Sequence, residues 1–250
     1  MDRDTDIGGS RDRFPTTRLS AVLAAQGEPA ERARAHAAIV AAYWKPAYKF
    51  VRRKWGVGNE EAKDLIQGFF THALERPFFE RYDPTKASFR TYVRVGLDGY
   101  VLNERKATHR LKRGGGVPVL SLDFAAAEGE LARQEPVAAD DLDAYFEREW
   151  MRSLFTLALD SLRDACVAGG HEVRFRVFER YDLEDHVTGE APSYADLAAE
   201  LGLPVTTVTN HLAWARREFR RSVLERLREL CGDEEEFQSE ARRLLGPRAR

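Results

Sequence analysis

Apolar positions along the chain recur at three- and four-residue intervals, the spacing of one helix face, and no stretch alternates convincingly enough to read as a run of strands. In EEAKDLIQGFFTHALERP, residues Ala62, Leu65, Ile66, Phe69 and Ala73 form one apolar stripe, with Asp64 and Gln67 outside it. Asn59 is the candidate N-cap, Glu60 and Glu61 suit the positive end of a helix, and Pro77 closes it. A turn at Tyr82-Asp83-Pro84-Thr85 precedes Ser88, the candidate cap of SFRTYVRVGLDGYVLNERKATHRLKR. The inner face of that helix is Phe89, Val93, Leu97, Tyr100 and Val101, and Gly96 and Gly99 weaken it locally. Upstream, Thr17 to Trp55 reads as helical in pieces, with Pro46 predicting a bend or a new helix start. Gly114-Gly115-Gly116 ends the long basic helix; it lacks the strand, the spacing and the Lys-Ser/Thr of a phosphate loop. Val117 to Asp143 has little periodicity and reads as a linker, with Leu120, Leu122 and Phe124 able to pack. Helical character resumes near Ala144, breaks at Gly169-Gly170, returns over Glu172 to Tyr181, and gives way to a loop at Val187 to Pro192.

The stretch SYADLAAELGLPVTTVTNHLAWARREFR, Ser193 to Arg220, carries the most specific pattern. Ser193 and Asp196 stand at capping-box spacing, Leu197 and Leu201 share a face, and Ala198 permits close helix crossing. Gly202 suits a tight turn with Leu203 plugging the space between helices, after which Val208, Leu212, Ala215 and Phe219 form the next buried stripe. This is the layout of a helix-turn-helix. It leaves Thr206, Thr207, Thr209, Asn210 and Ala213 outward, with Arg216, Arg217 and Arg220 further along. Asn can pair with adenine through two hydrogen bonds, Thr can offer a hydroxyl or a methyl, and arginines hold phosphates. A helical hairpin with a solvated polar face is the competing reading. Trp214 suits packing against another helix, with contact to DNA or polymerase as the alternative.

Charge is unevenly placed along the chain. The formal net charge is -2, yet Lys45 to Arg113 holds sixteen Lys/Arg against eight Asp/Glu, and Ser121 to Glu149 holds two against nine. Val205 to Leu230 is basic again by three. Two basic blocks are thus separated by an acidic one, a distribution that admits nucleic acid as a partner. With 43% apolar and 32% charged residues the chain suits an ordered, soluble protein. No apolar run approaches 18 residues, and the start MDRDTDIGGSRDR is followed by no apolar signal segment, so a cytoplasmic protein without membrane insertion is expected. Cys166 and Cys231 are the only cysteines, too few for a disulfide scaffold. No HExxH or other metal spacing joins the six histidines, and Cys166 and His171 read as a packed thiol and a loop imidazole. The expectation is no enzyme, no catalytic residue, no metal and no cofactor.

With both basic blocks in view, the sequence strongly resembles a bacterial RNA polymerase sigma factor of the sigma-70 family, extracytoplasmic-function type, from about Thr17 to Leu230. The first block, EEAKDLIQGFF to RLKRGGG, is similar to region 2, with Asp64-Leu65-x-Gln67, Tyr82-Asp83-Pro84 and Phe89-Arg90 in the family's places. The resemblance implies docking on the clamp helices of core polymerase through Asp64 and Gln67, with Leu65 supporting the packing. It implies opening and reading of the promoter -10 element through Arg90, Tyr92, Arg94, Asn103, Arg105, Lys106 and Arg110. Tyr92 equally fits a core aromatic with its hydroxyl at the surface. The second block resembles region 4, and implies -35 contacts by Thr206, Thr207, Thr209, Asn210, His211, Arg216 and Arg217. Two departures stand out: Pro204 replaces a frequent Ser or Thr cap, and Thr209 and His211 stand where Lys or Arg is common. Pro204 removes a cap while presetting the helix start, and Thr209 and His211 point to lower promoter affinity or to different preferred bases.

The resulting expectation is an all-α protein of two helical lobes joined by an acidic linker. Residues 1–16 form a disordered lead, 17–116 a region 2-like domain, 117–143 the linker, 144–232 a region 4-like helix-turn-helix domain, and 233–250 a C-terminal extension. In that extension Phe237, Ala241, Leu244 and Leu245 can form a short amphipathic helix. The expected partners are core RNA polymerase and promoter DNA, with an anti-sigma or other regulatory protein as a further candidate. A stand-alone helix-turn-helix regulator, or a polymerase-binding adaptor without initiation activity, is the alternative.

Overall fold

The structure, a computed structural model, describes residues 29–108, 122–134, 138, 141–184 and 192–246. Among them every regular element is helical. In chain order these are α1 (Pro29–Trp55), α2 (Asn59–Glu75), a single 3-10 turn (Phe79–Arg81), α3 (Phe89–Thr108), α4 (Phe124–Ala132) and α5 (Leu142–Ala168). There follow α6 (Glu172–Phe178), a wide π-type turn (Glu179–Leu183), α7 (Tyr194–Leu201), α8 (Val205–Glu229) and α9 (Glu234–Leu245). The disordered lead, Arg110 and the Gly114–Gly116 stop lie outside the described residues.

The long helix α1 is the axis of the fold, and its most extensive partner is α5. Tyr43, Phe50 and Val51 of α1 meet Phe146, Trp150 and Leu154 of α5, with Phe50 and Phe146 edge to face at 5.4 Å. Pro46 does not divide α1. It sits inside one continuous helix and is itself buried. A mid-helix proline costs about 3 kcal/mol, and here burial of Tyr43, Ala47, Tyr48 and Phe50 around it outweighs that penalty. Asn59 is likewise not a cap. Gly58 holds that position, and the Asn59 carboxamide instead lies within hydrogen-bond distance of the Tyr48 hydroxyl, at 2.8 Å. Ser88 does cap α3, accepting the Thr91 N–H at 3.3 Å. Gly96 is less a weak point than a contact: a methyl there would overlap the edge of the Phe78 ring.

The main core draws on both sequence blocks. It takes in α1, α2, α3, the first half of α5, and also Val223, Leu227, Leu230 and Cys231 at the end of α8, with Phe237 and Ala241 of α9. Two smaller clusters lie at the other end. One joins Leu162 and Cys166 of α5 to Phe175, Phe178 and Ala215; the other joins Val177, Leu197, Ala198, Val208 and Leu212. Within the stretch expected to be a linker, Phe124, Ala127 and Leu131 are buried at i, i+3 and i+7, so α4 forms by docking on α1. The C-terminal extension is also packed. Glu236 of α9 accepts the Phe89 N–H (2.7 Å), the Gly232 N–H (2.7 Å) and the Tyr82 hydroxyl (2.9 Å).

Candidate nucleic-acid interface

The α7–α8 pair is built from local chemistry. Ser193 Oγ accepts the Asp196 N–H at 3.1 Å, and the Asp196 carboxylate accepts the Ser193 N–H at 3.0 Å and its hydroxyl at 2.6 Å. Such a reciprocal cap is worth about 1 kcal/mol. The hydroxyl bond holds the Asp196 carboxyl below its ordinary range. Gly202 ends α7 in the left-handed region at φ 64°, which costs glycine nothing and other residues about 1 kcal/mol or more. Leu203 donates back to the Ala198 carbonyl at 2.9 Å and turns its side chain toward the Val177, Leu197, Val208 and Leu212 cluster. Pro204 opens α8 from an extended conformation; its carbonyl accepts the N–H groups of Thr207 and Val208 at 2.9 and 3.2 Å.

With Val208, Leu212 and Ala215 buried, the first turns of α8 present a short polar face. Thr206, Asn210 and Ala213 are exposed, and Thr207, Thr209 and His211 half-buried. Thr209 donates its hydroxyl to the Thr206 carbonyl at 2.9 Å, so what it offers outward is chiefly the methyl. Burial lowers His211 below its ordinary value of 6.5, and Arg174 and His171 push in the same direction. Both effects favour the neutral imidazole. Trp214 is half-buried against the Leu162–Cys166 cluster, with the Arg174 guanidinium 4.8 Å above its ring. Arg216 is held by both oxygens of Asp182, at 2.9 and 2.7 Å, and lies over Tyr181. Arg217 is exposed.

The α3 candidates separate into two groups. Arg90, at its start, is buried: it donates to Glu240 at 2.9 Å and to Glu147 at 2.7 Å, and lies 4.7 Å over Trp150. Tyr92 packs among Phe78, Tyr82 and Phe89 and donates its hydroxyl to the Phe78 carbonyl at 2.6 Å; burial raises its pKa. Arg94 pairs with Asp143 at 2.8 Å. At the far end, about 24 Å away by helix rise, Asn103, Arg105 and Lys106 are exposed. Arg105 lies 5.5 Å over the Trp55 ring, whose indole N–H donates to Asp98 at 3.3 Å. Sequence reasoning did not single out Trp55 or Lys54, which adjoin this end; the Lys-Trp pair closing α1 was the available signal. On the same helix Val95 and Leu102 are exposed at 55% and 43%.

On α2, Asp64 is exposed and Gln67 half-buried, three residues apart and so on one face, while Leu65 points into the core. Among the described residues no group of three His, Cys, Asp or Glu side chains could hold a metal, and no helix is long and apolar enough to cross a membrane. Comparison of the chain with protein-family models, curated proteins and solved structures finds no match.

Proposed function

We propose that this chain is a sigma factor: it binds core RNA polymerase, recognises -10 and -35 promoter elements, and directs DNA-templated transcription initiation. The reading rests on the quoted motifs in family order, and on one structural observation above all. The α7–α8 pair buries its apolar stripe and leaves Thr206, Thr207 and Asn210 accessible at the front of α8, where a helix entering the major groove makes base contacts. Asn210 is the residue of that face able to read adenine bidentately. Arg217 serves phosphates, and Arg216 joins it on exchanging Asp182 for DNA. In this reading the α1–α3 block is the region 2-like lobe, and Asp64 and Gln67 form the polymerase contact. The exposed end of α3, with Asn103, Arg105 and Lys106, faces the opened -10 strand. The energy of opening comes from binding, and polymerase performs the phosphoryl transfer.

The polymerase contact is tested by equilibrium binding of the full chain to purified core polymerase. Saturable binding, weakened tenfold or more by Asp64→Ala with Gln67→Ala, is the expected result. DNA binding without polymerase binding points instead to a stand-alone regulator.

A further inference from the structure

Helix α4 is seated on an ordered strip of α1. Three residue pairs at four-residue spacing, Trp44-Lys45, Tyr48-Lys49 and Arg52-Arg53, face one way along about 12 Å of helix. Glu130 takes Lys45 at 2.9 Å and Lys49 at 2.6 Å. Glu128 takes the Tyr48 hydroxyl at 2.6 Å and Arg52 Nε at 3.2 Å. Arg53 reaches the carbonyls of Leu131 (3.1 Å) and Gln134 (2.9 Å). Phe124 lies edge-on to Trp44 at 5.5 Å and against Tyr48 at 5.2 Å. Thus α4 places anions on the cations and an aromatic ring, edge-on or tilted, against the aromatics; phosphates and bases are the groups of the same two kinds that a single nucleic-acid strand would bring to this strip. Strips of this length accommodate about three nucleotides at the spacing of a stacked strand.

The occupant is also a short one, held by the polar contacts above and a small apolar anchor. Nine residues are too few for a helix that persists alone, and three buried side chains, Phe124, Ala127 and Leu131, anchor it. Lys49 is different: it is tied as well to Glu149 at 2.6 Å, both nearly fully buried, and stays in the floor of the strip whatever α4 does. We propose that α4 is a built-in competitor for single-stranded nucleic acid, covering a basic-aromatic strip on α1 that binds a strand when α4 lifts away. The biological occupant, an opened promoter strand, rests on the sigma-factor reading; binding by the strip does not, because its test contains no polymerase. Failure of either leaves the other standing.

The experiment is fluorescence anisotropy of the full chain with a labelled single-stranded 12-mer of thymidylate. Glu128→Gln with Glu130→Gln is expected to bind at least tenfold more tightly than the unaltered protein. Asp160→Asn with Asp164→Asn, an equal change in charge on exposed α5 positions, is expected to gain no more than twofold. Adding Lys45→Gln and Arg52→Gln to the first variant abolishes the gain. No gain, or an equal gain in both acidic variants, overturns the proposal. Hydrogen exchange of the unaltered protein gives a second reading independent of any variant: amides of 124–132 lose protection when the oligonucleotide saturates the chain. Retained protection overturns the proposal, and oligoglutamate competing as well as the oligonucleotide overturns the assignment to nucleic acid.

Discussion

Arg90 shows how position decides what a charge does. Its guanidinium is enclosed by Glu240, Glu147 and the Trp150 ring, and it ties α3 to α5 and α9. Removing one partner of such an enclosed pair leaves the other uncompensated. Arg90→Ala is expected to lower stability by about 3 kcal/mol, measured by urea denaturation; a change below about 0.5 kcal/mol would fit an exposed DNA ligand instead. Tyr43 is the converse case. Its hydroxyl is buried and has no hydrogen-bond partner among the described residues, and burial raises its pKa well above the ordinary value. Tyr43→Phe removes an unsatisfied group at nearly constant volume, so stability should hold or rise by about 1 kcal/mol. At His211 the folded-state pKa is depressed, so the unfolded chain takes up the proton first. The contribution of His211 to stability is complete above its ordinary 6.5, and falls as pH drops below that value toward the folded one. An NMR titration of its ring protons below pH 6.5 checks this.

At the scale of single elements, the sequence was legible wherever local chemistry dominates. The Ser193–Asp196 box, the Gly202 turn and the Val208–Leu212–Ala215 stripe all follow from spacing alone, and so does the outward face of Thr206 and Asn210. It was not legible where long-range packing decides. Pro46 predicted a bend or a new helix start, and one helix runs through it without a new start; Asn59 gave up its cap to hold Tyr48, and α4 forms by docking on α1. The burial of Arg90 was hidden too, because its partners lie 57 and 150 residues away. For α8, Asn210→Ala should cost about 1–3 kcal/mol of sequence-specific duplex binding, with the salt dependence unchanged. Arg217→Ala should weaken all sequences alike and reduce the salt slope by about one. Both are read from binding isotherms at several salt concentrations. For α4, Arg52 holds Glu128 below its ordinary 4.5. Burial alone would raise Glu130, but Lys49 and Lys45 outweigh it and hold it low as well. The docking contribution of both is present above 4.5 and is lost as pH falls through the depressed folded-state values. Amide protection over 124–132 should therefore fall in that acid range.

For the molecule as a whole, the unanticipated feature is that one core runs from α1 through α5 to the ends of α8 and α9. Residues beyond 232 help complete it: Phe237 and Ala241 are buried in the core, and Glu236 serves three donors from elsewhere in the chain. Truncation before α9 should destabilise the α1–α3 end more than the α7–α8 pair, which hydrogen exchange resolved by segment would show. Initiation by this chain is tested by runoff transcription. Purified core polymerase from the same organism is mixed with a pooled library of that organism's upstream regions, with and without this chain. Discrete start sites that appear only when the chain is added, downstream of a shared two-part motif, are the predicted result. Neither added transcripts nor stable association with core polymerase in the same preparation would contradict it.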